Sequence, residues 1–96
     1  MDNQHKRISG YRDLTQDEID LMNMAKHLEA QVLRFHAKVG EKLDQQKHDA
    51  EFEPSEFERI VQAEPGRWHA IARTDIERGF MALVRAIAQP QPRVEE

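Results

Sequence analysis

Leu14-Thr15-Gln16-Asp17-Glu18-Ile19, continued by Leu21, Ala25, Leu28, Val32, Phe35, Val39 and Leu43, is the stretch on which the fold turns. Thr15 to Glu18 forms a capping box: the Thr hydroxyl can accept from the Glu18 amide while the Glu carboxylate reaches back to the Thr15 amide. Leu14 and Ile19 take the flanking staple positions, and Asp17, Glu18 and Asp20 put negative charge where the helix dipole favours it. A helix therefore starts here. Its apolar residues recur at alternating steps of four and three, close to the 3.5-residue period of coiled coils, and the spacing predicts that it runs to about Leu43. Gly40 weakens it near that end by about 1 kcal/mol relative to Ala, which predicts fraying or a kink.

Working outward, Asp44 to Glu53 is polar and acidic without apolar periodicity and reads as a hairpin turn or a mobile loop. Pro54 at a first-turn position, Ser55 with Glu58 three residues on, and Phe57, Ile60 and Val61 predict a short helix of about two turns, interrupted by Pro65-Gly66. A second long helix follows, with Trp68, Ala72, Ile76, Phe80, Leu83 and Ile87 at helical spacing and Ile71, Met81 and Val84 widening the apolar surface. It should stop before Pro90, leaving residues 89–96 as a flexible tail. The expected fold is all-α: a long antiparallel helical hairpin with a short N-terminal segment and a short intervening helix, in one domain spanning residues 1–96. A first helix of roughly 29 residues would be about 43 Å long, more than a compact chain of this size needs. Such a hairpin cannot bury both seams alone, so a homo-oligomer with a shared core is expected.

The chain has 96 residues, a formal net charge of −4 and no cysteine. No apolar run approaches the ~20 residues of a membrane span, and the N-terminus lacks the apolar core of a secretory signal. Without cysteine there are no disulfides and no thiolate metal ligands, so a soluble protein of a reducing cytoplasm is expected. The acidic balance argues against duplex nucleic acid, which demands a broad basic face. Charge is nonetheless uneven: residues 1–12 carry Lys6, Arg7 and Arg12 against Asp2, whereas residues 44–64 carry seven acids against Lys47 and Arg59.

Gly10-Tyr11-Arg12, with Lys26 on the first helix, sets an aromatic ring among cations. A nucleobase needs a flat face to stack on and its phosphates need placed positive charge, so this set suits a nucleotide-sized anion. The same residues serve equally as a packed tyrosine and solvated cations. Arg12 can clamp a phosphate or pair with Asp13 or Asp17. Five histidines, at 5, 27, 36, 48 and 69, include no i, i+4 pair, so no metal site is expected. Ser9 and Ser55 have no nucleophile setting and glycine-rich phosphate loops are missing, so no catalytic residue and no cofactor is assigned. Trp68, Phe80, Met22, Met24 and Met81 read as core, and Arg73 and Arg85 as either surface ion pairs or interface clamps.

Residues 10–23, together with Gly66-Arg67-Trp68, Arg73-Thr74 and residues 79–90, resemble the anti-CBASS protein 2 family. These are phage cyclic-oligonucleotide sponges that share a helical-hairpin domain with some anti-Thoeris sponges. The matching blocks occur in order at both ends of the chain, while residues 34–64 add nothing. The resemblance implies a small helical protein, assembled as a hexamer in the host bacterial cytoplasm. It would bind the cyclic di- and trinucleotide signals of CBASS immunity, such as cyclic GMP-AMP, and hold them from their effectors without cleaving them. It implies a dinucleotide pocket between protomers, with the family's Tyr and Lys falling on Tyr11 and Lys26. It also implies a separate trinucleotide pocket near Arg12 and on the final helix, at Arg67 and Thr74. Glu77 stands where a neutral polar residue is expected, and a carboxylate there would repel phosphate. The rival readings are a coiled-coil protein that binds another protein through its apolar seam, and a phosphodiesterase.

Overall fold

A computed structural model describes residues 12–91 of the chain. Helix α1 spans Gln16–Asp49, a single 3-10 turn follows at Ala50–Phe52, and helices α2 (Pro54–Ala63) and α3 (Pro65–Ala88) complete an all-helical hairpin. The capping box forms as its sequence predicts: the Glu18 amide donates to Thr15 Oγ1 at 3.2 Å, and the Thr15 amide donates to Glu18 Oε1 at 2.8 Å. Helix α3 ends at Ala88, before Pro90.

The first helix is longer than its apolar pattern. It runs through the acidic segment expected to be a loop and stops only at Asp49. Its 34 residues span about 51 Å. Gln45 donates to Asp49 Oδ1 at 2.8 Å, an i, i+4 bond that supports the last turn without any apolar residue. The actual corner is built on Ala50, which is 1% exposed and whose amide donates back to the carbonyls of Gln46 and His48. The short helix is interrupted at Pro65 as expected, and Pro65 itself opens α3, where its missing amide costs no bond. The break falls one residue earlier, at Glu64, whose left-handed conformation (φ 53°, ψ 50°) ends α2 and starts α3. A side chain rarely adopts that conformation outside Gly and Asn, so a single strained residue makes the joint.

Helix α1 packs along α3, while α2 packs chiefly against the 3-10 turn. The radius of gyration is 20.7 Å and the extents are 65 × 31 × 15 Å, against about 12 Å for the radius of a compact chain of this length. In so flat a body Ala25 and Ala50 are the fully buried apolar residues among those described. No helix among the described residues is long and apolar enough to cross a membrane.

The less exposed stripe of α1 runs through Glu18, Met22, Ala25, Glu29, Val32, His36, Val39, Leu43 and Gln46, with Leu33 and Gly40 beside it. It keeps the alternating four-three steps but is shifted by one residue at three points. Ala25, Val32, Val39 and Leu43 of the expected seam face inward. Leu21, Leu28 and Phe35 are 50%, 47% and 67% exposed, their places taken by Met22, Glu29 and His36. On α3, Ala72, Ile76, Phe80, Val84 and Ile87 are half-buried, while Trp68, Met81 and Leu83 lie exposed, as Met24 does on α1. The expectation that Trp68, Met24 and Met81 fill a core is corrected: two helices side by side cover one stripe of each, and these side chains lie outside it.

Candidate functional site

Two polar fasteners position everything else. At the open end of the hairpin, Arg12 joins the start of α1 to the end of α3. Its Nε donates to the Ala88 carbonyl at 3.0 Å and its Nη2 to the Ile87 carbonyl at 2.9 Å. The same guanidinium grips Glu18 in two places, Nη2 to Oε2 at 2.6 Å and Nη1 to Oε1 at 3.3 Å, and Nη1 also donates to the Asp13 carbonyl at 3.2 Å. Carbonyls of a last helical turn have no partner within their helix, and a cation is favoured there by the dipole. The Arg12 hydrogen bond holds the Glu18 carboxyl down to about 2, with the Thr15 amide adding to the effect. In turn Glu18 raises Arg12 above its ordinary value. The carboxylate that Arg12 grips is thus Glu18, and Asp13 offers it a backbone carbonyl.

Eighteen residues further along both helices, His36 and His69 stack with ring centroids 3.6 Å apart and planes within 12°. Each Nε2 lies against the other residue's carbonyl, at 2.7 Å and 2.8 Å. A carbonyl only accepts, so both Nε2 atoms carry hydrogen and donate. Gly40 belongs to this lock. A Cβ there would sit 2.9 Å from His69 Cε1, so the absence of a side chain lets the ring lie against α1. Gly40 leaves α1 unbroken, which corrects the expectation of fraying or a kink.

The residues assigned from the sequence are distributed along this frame. Tyr11 lies outside the described residues. Lys26 is exposed on α1, eight residues and so about 12 Å beyond Glu18, in a shallow hollow of about 450 Å³ with Asn23, His27 and Ala30. All four lining residues belong to one helix, so among the described residues this hollow has no second wall. Arg67 lies at the other end, its guanidinium carbon 5.0 Å from the Trp68 ring centroid and Nη1 3.8 Å from Glu64 Oε2. That stacking is a cation–π contact. Thr74 is exposed seven residues on, two turns along the same line of α3. Between them and the Ala88 carbonyl that holds Arg12 lies most of α3, about 32 Å from Arg67. Arg67 and Thr74 are brought onto one face, and Arg12 of the same protomer is not brought to them. Arg73 pairs with Glu77 at 3.1 Å, so the carboxylate expected to repel phosphate already has a cation beside it.

A groove of about 350 Å³ between α1 and α3 is lined by Phe35, Val39, Leu43, Trp68, Ala72 and Ile76 among others, and is almost wholly apolar. Its rim, Phe35 and Trp68, belongs to the uncovered apolar residues. Among the described residues no cluster of three His, Asp or Glu side chains could hold a metal ion. Among the described residues the carboxylates pulled below their ordinary range, Glu18 and Glu56, are each bonded to an arginine, Arg12 and Arg59. Sequence reasoning missed the His36–His69 lock and the second task of Glu18. Histidines 33 residues apart share no local pattern, and the capping box explained Glu18 already.

Comparison with known proteins agrees with this architecture. Residues 4–88 match the Acb2/Tad1 hairpin domain. The anti-CBASS protein 2 of Pseudomonas phage JBD67 is 46% identical over 106 aligned residues, which cover 95% of this chain and 98% of that protein.

Proposed function

The chain belongs to the Acb2/Tad1 hairpin-domain family, and from that premise we propose that it is a phage anti-CBASS protein acting as a sponge. It binds cyclic di- and trinucleotide signals such as cyclic GMP-AMP and keeps them from their effectors without cleaving them, in the cytoplasm of the bacterial host. The observation that carries this reading is the near full-length similarity to a relative named for opposing CBASS. The whole chain works as one domain, and it assembles into a homo-oligomer, a hexamer in this reading. The uncovered line of Leu21, Leu28 and Phe35 supports assembly, because apolar surface left in water is stabilised by a partner.

In this reading Tyr11 stacks on a base and Lys26 pairs with a phosphate. Among the described residues the hollow around Lys26 is walled by one helix, which suits a pocket completed by another copy. A compact ammonium on a flexible stem pairs with phosphates of different geometry, which suits several cyclic dinucleotides. Arg67 and Thr74, two turns apart on one face, form the trinucleotide site. Any contribution of Arg12 to that site comes from another copy or acts at a distance, given the length of α3 between them.

Sequestration works by mass action, so the dissociation constant is nanomolar or below, about −12 kcal/mol or more favourable. Calorimetric titration with a panel of cyclic di- and trinucleotides, followed by denaturation and chromatography of the released ligand, tests the proposal. Tight binding with intact ligand recovered is expected. Cleaved ligand would make the protein an enzyme. No binding would favour a helical interaction protein, for which the same uncovered apolar line would be the docking face.

A further inference from the structure

We propose that the apolar groove between α1 and α3 is the seat of α2 from a second copy of the chain, so that two copies meet at their corner ends and exchange these short helices. The proposal rests on the homo-oligomer of the reading above and assigns it a contact. Helix α2 has an apolar stripe of its own, Phe57, Ile60 and Val61 at i, i+3 and i+4, which is the anchor spacing of a helix that lies in a groove. Within the protomer that stripe is unused: no residue of α2 is fully buried, and Phe57 and Val61 are 47% and 57% exposed. A helix of 10 residues is marginal in water and takes its stability from packing. Nor does α2 cover the groove of its own chain, whose lining comes from α1 and α3 alone.

Charge identifies the occupant. Phe35 stands at the rim of the groove and also in a neighbouring hollow, where Arg34 and Lys38 face only Glu41. Both cations are exposed, and among the described residues neither makes an ion pair. From Ala50 to Glu64 the chain carries Glu51, Glu53, Glu56, Glu58 and Glu64 against Arg59 alone, and Glu56 already holds that arginine. An apolar stripe flanked by carboxylates thus meets an apolar groove flanked by cations. The stripe supplies affinity, and the rim charges set the register. Because groove and α2 lie at the same end of the hairpin, a twofold axis there lets each copy give its α2 and receive the other's. Two copies close such a contact, so a larger assembly needs a second surface. Leu21 and Leu28, exposed toward the opposite end of α1, supply it.

The chain has no cysteine, so introduced thiols report this contact without ambiguity. Full-length Val61→Cys carrying a size tag is co-refolded with untagged Ala72→Cys and oxidised. A disulfide joining a tagged to an untagged chain is expected. Its absence would overturn the proposal, and so would a disulfide found only within single chains of the Val61→Cys/Ala72→Cys double variant, which would mean that α2 closes on its own groove. Light scattering, with helicity checked for each variant, gives a second reading. Phe57→Glu/Val61→Glu should bring the mass to about half that of wild type or less, while the exposure of both side chains keeps the protomer's own contacts intact. Arg34→Glu/Lys38→Glu should do the same, and adding Glu53→Lys/Glu58→Lys to it should restore the wild-type mass. An unchanged mass in the first variant, or no restoration in the last, would overturn the proposal. Wild type separates the two layers of argument. If it runs as a protomer, the assembly is refuted and this contact with it; if it is an oligomer that these variants leave intact, the contact alone is refuted.

Discussion

The two apolar-to-polar borders of α1 make an instructive contrast. The covered face is partly polar, with Glu18, Glu29 and His36 set among Met22, Ala25, Val32, Val39 and Leu43. The line beside it, Leu21, Leu28 and Phe35, is wholly apolar and exposed. A helix pair that sought only to bury apolar side chains would turn α1 by part of one residue's ~100°, keeping Ala25, Val32, Val39 and Leu43 inside and exchanging Met22, Glu29 and His36 for Leu21, Leu28 and Phe35. The covered face carries the directional bonds across the hairpin, from Arg12 to the end of α3 and between His36 and His69. Hydrogen bonds select one register within the chain, and the non-directional hydrophobic surface remains for contacts beyond it.

The contrast is broken most severely on its exposed side. Leu28→Glu with Phe35→Glu should reduce the proposed oligomer to protomers, a several-fold fall in mass by sedimentation or light scattering, while circular dichroism keeps both helices wherever the protomer remains folded. An unchanged mass would mean that this line is not the shared surface.

A smaller effect, of opposite sign in two backgrounds, sharpens the covered side. Gly40→Ala ought to stabilise an exposed helix by about 1 kcal/mol. Here it should destabilise by about 1–3 kcal/mol, because the added methyl meets a ring held by stacking and a hydrogen bond. In a His69→Ala background the same substitution should regain its stabilising sign. Thermal unfolding at one fixed protein concentration measures both, and a stabilising Gly40→Ala in the wild-type background would dismiss the lock.

The smallest effect is the acid response of the clamp. Glu18 titrates well below its ordinary value of 4.5 in the folded chain, at about 2. Its contribution is therefore complete above the unfolded value and is lost as pH falls from about 4.5 through about 2. The difference in melting temperature between wild type and Glu18→Gln should shrink across that window. A difference that persists at its lower end would show that the charge of Glu18 is not what stabilises the end of the hairpin.

Much of the fold was legible because local rules agree with one another. Thr15 to Glu18 caps α1, Pro65 opens α3 and Pro90 follows its end, each for a reason confined to a few residues. The course of α1 through Asp44–Asp49 was not legible from apolar periodicity, because its last turn is held by polar i, i+4 contacts and by Ala50 at the corner. For the candidate site, the residues themselves singled out Tyr11, Arg12 and Lys26, while Arg67 and Thr74 came only from the family resemblance. The sequence did not convey that Arg12 lies about 32 Å along α3 from Arg67, or that its donors are spent before any ligand arrives.

The sequence by itself determined that this protein is a helical hairpin with more apolar surface than two helices can cover, because period, caps and prolines act over distances of a turn or two. Only the tertiary structure decided which apolar line stays uncovered, why Gly40 must be glycine and what Arg12 holds. Those choices depend on side chains that meet across the hairpin from 33 to 76 residues away, and such meetings leave no periodic trace in the chain.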